Sequence, residues 1–265
     1  ITLIRGKMNM SEDNLNPAKD KEDFKQNFYD NIWIALQALI IAILFRSLLF
    51  QPFSIPSGSM LPTLLIGDYL FVSKYSYGYS KHSLPFSPPL FSDRIMGQDV
   101  TRGDVIVFKL PRDNRTDYIK RVVGLPGDTI QVQNGKLYLN GSAVAREKIE
   151  DFVSPQADGE DLKITQYVET LPNGVRYRTL DLVENGRGDN TAIFNVPQGY
   201  YFVMGDNRDN SMDSRFSRAV GFVPYENIVG RAEVKFFSVN HLGVFWRVWE
   251  WPVNIRWARI FEAVE

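Results

Sequence analysis

The chain begins polar, becomes almost wholly apolar for one stretch, and then breaks into short alternating runs. Residues 1–31 mix charges of both signs, as in Lys19-Asp20-Lys21-Glu22-Asp23, and predict a disordered or loosely helical tail. In the next 19 residues, 32–50, only Gln37, Arg46 and Ser47 are polar. At about 1.5 Å per residue, this stretch just crosses a hydrocarbon core of roughly 30 Å. It predicts one transmembrane helix, stopped by Pro52 and Pro56. Arg46 lies near one end, where its stem can carry the charge back to the interface. A buried core helix is the competing reading, and a cleavable leader fits less well because no Ala-x-Ala site follows.

Beyond residue 50 the pattern is mainly β. Runs rich in Val, Ile, Tyr and Phe predict strands at 69–73, 105–109, 118–123, 129–133, 136–139, 164–168, 200–204 and 228–237. Asn134-Gly135 between two of them predicts a tight hairpin. Residues 84–97, with three prolines, read as a loop. Residues 142–195 are more polar and read as an insertion or small subdomain. The expected organisation is a tail (1–31), an anchor (32–50) and a β-rich domain (51–265) interrupted at about 142–195. Lys19, Lys21 and Lys25 precede the anchor and Arg46 ends it, which orients the N-terminus toward the cytoplasm.

Composition narrows the chemistry. The 265 residues carry a formal net charge of -1, which gives no electrostatic case for nucleic-acid binding. There is no cysteine, hence no disulfide, no thiolate metal site and no thiol nucleophile. The two histidines, His82 and His241, have no motif around them. A serine nucleophile in this chain is therefore more plausibly served by a lysine base.

Three blocks supply candidates. Ser59 lies in Pro56-Ser57-Gly58-Ser59-Met60-Leu61-Pro62-Thr63, where Gly58 permits a tight turn that presents a hydroxyl and free amides. An ordinary Ser/Gly turn would read the same. Lys120 lies in a strand beside Arg121, and alternation sends these two cations to opposite faces, so that one of them points into protein. Burial lowers a lysine pKa, as a general base requires; a snorkelling strand lysine is the alternative, and Lys74 and Lys109 are rivals near strand ends. The third block, 205–215, is dense in short polar side chains that suit a turn bonded to its own backbone. Read from Asp209 as a calcium loop, it has Ser214 where glycine belongs and Val220 where glutamate belongs.

Together, and in this order, the blocks resemble the bacterial type I signal peptidases, membrane-bound serine proteases that remove signal peptides. The serine motif matches 56–63 followed by Gly67-Asp68, the lysine motif matches 117–128, and the C-terminal motif matches 205–215. The resemblance implies a β-rich, signal-peptidase-like catalytic domain behind one transmembrane helix, on the outer side of the cytoplasmic membrane. It implies Ser59 as nucleophile, Lys120 as general base, and the Ser57 hydroxyl with the Ser59 amide as oxyanion hole. Ser211 would hold the Lys120 amine, and Asp206, Arg208, Asp213, Arg215 and Arg121 would support the site. Phe53, Ile55, Met60, Leu64, Tyr118 and Ile119 would line shallow pockets for the small residues of an Ala-x-Ala site. Partners would be signal peptides, membrane lipid and export machinery, with no metal or organic cofactor. An anchored, non-catalytic peptide-binding or envelope-assembly domain is the alternative of a different class. A self-cleaving Ser/Lys protease is nearer in chemistry, but it would have no use for residues 32–50. The Trp-rich segment 241–257 suits either a headgroup layer or packing on the β core.

Overall fold

The computed structural model describes residues 17–84, 87, 94–155, 161–240 and 247–265. Helix α1 (Pro17–Leu48) starts inside the segment read as a tail rather than at Ile32. Proline suits a first helical turn, and the Ala, Lys, Glu and Gln residues that follow favour helix whatever their polarity. Its part Lys25–Leu48 reaches a mean hydropathy of 1.8 over an 18-residue window, and its large apolar side chains, Trp33 and Ile41 among them, are exposed. The chain divides into two compact units, Ile1–Leu44 and Phe45–Glu265.

The second unit is β-rich. In chain order its strands are β1 (Phe50–Ser54), β2 (Asp68–Ser73), β3 (Val105–Lys109), β4 (Asp117–Gly124), β5 (Thr129–Gln133), β6 (Lys136–Leu139), β7 (Ser142–Ala143) and β8 (Ala145–Lys148). Then follow β9 (Phe152–Pro155), β10 (Asp161–Thr170), β11 (Arg176–Asp181), β12 (Phe194–Asn195), β13 (Tyr200–Met204), β14 (Val223–Pro224) and β15 (Ile228–Ser238). The main sheet is antiparallel, in the order β1-β2-β15-β3-β4-β13-β14. It is covered on both faces, which is why β3 reads as an unbroken apolar run. Val105 and Val107 enter one hydrophobic cluster with Leu70 and Val72; Ile106 and Phe108 enter another with Val122 and Val203.

Two smaller sheets complete the domain. One is β12-β5-β6-β7, in which Asn134 and Gly135 both take positive φ, as the expected hairpin requires. The other is β11-β10-β8, with β9 against the far end of β10. β7 to β12 lie in the segment read as an insertion. β11 shows little apolar pattern in sequence, because of its buried residues Tyr177, Thr179 and Leu180 only the last is aliphatic, while Arg176 and Arg178 are exposed. Of the loop read at 84–97, Leu84, Ser87 and Arg94–Gly97 are described. In the Trp-rich segment, His241 and Trp246 lie outside the described residues. Trp251 packs on Phe237 at 5.2 Å between ring centroids, while Trp249 and Trp257 are exposed.

The C-terminal segment is fastened to the start of β2. Asp68 accepts from the Arg259 guanidinium at 2.7 Å, from the Ser238 hydroxyl at 2.6 Å and from the Leu65 amide at 2.8 Å. Gly67 before it has φ +90, and a Cβ there would collide with the Val239 carbonyl, so the pair Gly67-Asp68 serves this junction.

Candidate active site

Ser59 and Lys120 meet in space although 61 positions separate them in sequence. Lys120 Nζ lies 2.7 Å from Ser59 Oγ and donates to its neighbour's carbonyl, Ile119 O, at 2.8 Å. β4 carries the lysine, and its exit is locked by the turn at Leu125–Asp128. There Asp128 accepts from the Leu125 amide at 2.6 Å and pairs with Arg102 at 2.8 Å, and Arg102 also donates to the Val123 carbonyl. Lys120 is 3% exposed. Burial lowers its pKa to about 8, against the opposing pull of Asp213 and Asp206. Alternation led us to expect only one of the two adjacent cations to be enclosed. Both are, because Arg121, 1% exposed, has its own carboxylate partner inside.

The Ser59 turn is gripped from the third block. Asn207 donates from its side chain to Gly58 O at 3.0 Å and from its backbone to Ser59 O at 3.2 Å. Gly205 lets these backbones approach, since a Cβ there would strike Ser211 and lie 2.5 Å from Ser59 O. Asn207 carried no signal beyond its place in a polar turn.

Beneath the dyad lie three buried two-point ion pairs. Arg121 holds Asp206 at 2.9 and 2.8 Å, Arg208 holds Glu169 at 2.7 and 2.5 Å, and Arg215 holds Asp213 at 2.9 and 2.9 Å. They interlock: Thr63 Oγ1 donates to Asp206 at 2.6 Å, Tyr177 donates to Glu169 at 2.7 Å, and Arg215 donates to Arg208 O at 2.5 Å. Burial pushes the Glu169 and Asp213 carboxyls up, but their arginines outweigh it and hold both below the usual range. Glu169 and Tyr177 belong to β10 and β11. The segment read as an insertion thus supplies part of the site's foundation, which no local pattern in it announced.

Ser211 differs from expectation. Its hydroxyl is buried and makes no hydrogen bond to Lys120, whose amine is held by Ser59 and Ile119 instead. Ser57, in contrast, is exposed on the wall of a cleft of ≈ 460 Å³ that also contains Ser59 and Lys120. Of the expected pocket residues, Phe53, Ile55, Tyr118 and Ile119 line this cleft. Met60 and Leu64 do not: both are fully buried in the cluster formed by Ile55, Val107 and Ile119 behind the wall. Val107, Asn210 and Met212 line it instead. Leu64→Ala is therefore expected to cost about 2–5 kcal/mol of stability. Denaturant unfolding would register that loss, and the preference among substrates would not change.

The cleft runs between two open backbone edges. Among the described residues, β1 is the outer strand of the sheet and pairs with β2 alone. Among the described residues β4 pairs with β13 from Arg121 onward, so the backbone of Asp117–Lys120 pairs as a strand with β3 alone. An extended peptide laid between them would find pairing groups on both sides. His82 is buried away from this cleft, with Nδ1 3.0 Å from Ser87 Oγ.

Compared with known families, residues 29–237 match the family described as signal peptidase, peptidase S26. A signal peptidase I of Rickettsia typhi is 39% identical over 271 aligned residues, covering 96% of this chain and 97% of its own. One of Rickettsia akari is 42% identical over 246, covering 86% of this chain and 90% of its own. Among solved structures, a signal peptidase I from Enterococcus faecalis V583 is 29% identical, covers 51% of this chain and 97% of its own, and superposes with a TM-score of 0.30.

Proposed function

The chain belongs to the signal peptidase family S26, serine peptidases, and from that premise we propose that it is a membrane-bound Ser/Lys endopeptidase cutting preproteins after Ala-x-Ala-type sites. The observation that carries this reading is the 2.7 Å approach of Lys120 Nζ to Ser59 Oγ inside a cleft with two unpaired strand edges.

The signal-peptide end adds as a strand between β1 and Asp117–Lys120. Phe53, Ile55, Val107, Tyr118 and Ile119 leave room there for small side chains only. Neutral Lys120 accepts the Ser59 proton as Oγ bonds to the scissile carbonyl carbon. The oxyanion that forms is held by the Ser57 hydroxyl and the Ser59 N–H. Lys120 returns the proton to the departing amine as the C–N bond breaks. It next takes a proton from water, whose oxygen attacks the ester, and gives it back to Ser59 as the signal peptide leaves. Ser211 supports this geometry by packing against Gly205, where the third block meets the Ser59 turn. The three buried ion pairs keep the turn and the strand in place. The apolar helix crosses the cytoplasmic membrane with its N-terminus inside, so the catalytic unit works at the outer surface.

Activity is expected to rise with pH and level off above about 8, because only the deprotonated Lys120 can accept a proton. A kcat/KM profile on a preprotein would show that limb; a limb near the ordinary histidine value of about 6.5 would exclude lysine as the base. Specificity is tested by varying the residues one and three before the cut. Alanine should be cleaved and leucine refused at both. Equal cleavage of both would contradict a cleft selective for small side chains.

A further inference from the structure

A second cavity, of ≈ 740 Å³, shares Asp117 with the catalytic cleft. Arg46, Lys74, Lys81, Lys109 and Arg115 line it. Among the described residues, two carboxylates line the cavity with these five cations, and both are engaged. Asp117 pairs with Lys109 at 2.9 Å, while Asp113 accepts from the Arg115 and Thr116 amides and the Thr116 hydroxyl. Lys81 reaches Glu226 only at 3.9 Å.

Two side chains on the wall are buried and underbonded. Lys74 is 2% exposed, and the hydrogen bond described for its amine goes to a neutral group, Ser83 O, at 2.6 Å. Among the described residues it has no ion-pair partner. Burial, then the charge of Arg46, lowers its pKa to about 8, so at neutral pH it is mostly a buried ammonium without an anion. His82 is also buried, and its Nε2 has no partner. Burial and Lys81 lower its pKa to about 4, which leaves the ring neutral. Nδ1 meets the Ser87 hydroxyl at 3.0 Å, and in the tautomer in which Nδ1 accepts there, Nε2 carries the hydrogen and is an unused donor.

We infer that this cavity binds a phosphate group, with Lys74 and His82 as its buried donors and Arg46, Lys81 and Arg115 completing the charge. A phosphate suits it better than a carboxylate because several donors line the cavity and a phosphate offers more acceptor oxygens to meet them. Arg46 belongs to the last turn of the apolar helix, which places an anionic lipid headgroup within reach. Free inorganic phosphate offers the same chemistry. The site uses no residue of the Ser59 dyad, so it stands or falls apart from the cleavage mechanism.

The test uses the full chain in phosphatidylcholine nanodiscs, with and without phosphatidylglycerol, and separately with inorganic phosphate added. The expected result is a higher melting temperature with phosphatidylglycerol that Lys74→Met abolishes. Lys81→Gln, a change at a half-exposed position that the fold tolerates, is expected to weaken binding roughly tenfold, the loss of one charge-assisted bond. A Lys74-dependent rise with inorganic phosphate alone supports the site and identifies free phosphate as its ligand. No rise with either probe, or an equal rise in wild type and both variants, would overturn the proposal.

Discussion

Lys120→Met is expected to abolish signal-peptide cleavage and at the same time to make the folded chain more stable. The loss of activity follows from removing the only basic atom in contact with Ser59 Oγ among the described residues; a general base contributes about 10²–10⁴-fold. The gain in stability follows from the same burial that makes the lysine useful. Lowering its pKa from 10.5 to about 8 corresponds to about 3 kcal/mol spent on enclosing the charged form. Methionine fills a similar volume without that cost, and the lost hydrogen bonds offset part of the gain, leaving roughly 1–3 kcal/mol. The sign has a pH signature. Below about 8 the lysine is charged in both folded and unfolded chains and the full penalty applies. Between about 8 and 10.5 the unfolded chain holds more protons, so wild-type stability rises with pH and the advantage of methionine shrinks. Denaturant midpoints of both proteins across this range would show the curves converging. Parallel curves would mean that Lys120 is not held in a low-pKa environment.

Glu169→Ala is expected to destabilise the domain by about 3–5 kcal/mol although it touches neither Ser59 nor Lys120. Glu169 is fully buried and takes both arms of Arg208 together with the Tyr177 hydroxyl. Removing it strands a buried guanidinium. Such a loss is a large share of the roughly 5–15 kcal/mol that holds a domain together. Activity falls with it, because Arg208 lies in the turn whose neighbour Asn207 grips Gly58 and Ser59. The double change Glu169→Leu with Arg208→Leu removes both charges and is expected to cost less than the single one. Urea midpoints of the three variants decide the matter. A double variant as unstable as the sum of its parts would show that packing, not charge pairing, dominates at this position.

Ser59 and Lys120, which the fold brings together, stood out in the sequence because each sits in a locally distinctive run, Pro56–Thr63 and Asp117–Asp128. The β-rich class was legible for a similar reason, since apolar runs and turn residues are local features. What was hidden depends on partners far along the chain. Glu169 is one charged residue in a polar strand, and only folding brings Arg208, 39 positions away, against it. Met60 and Leu64 stand close to Ser59 in sequence and look like pocket residues, yet adjacency in sequence does not say which side of a wall a side chain takes. An exposed strand edge near 53–56 was legible, but Pro52 masked the extent of β1, since a sheet tolerates its missing N–H at an edge, and that edge borders the cleft. The early start of α1 was hidden by charge, which marks a limit to membrane burial but not to helix formation.

The central claim is that Ser59, activated by Lys120, cuts preproteins. It is tested most directly by incubating one Ala-x-Ala preprotein with detergent-purified wild type and Ser59→Ala, and reading the new N-terminus by mass spectrometry. Cleavage after the small residue by wild type alone is the predicted result. Equal cleavage by Ser59→Ala, or none by a folded wild type, would contradict it.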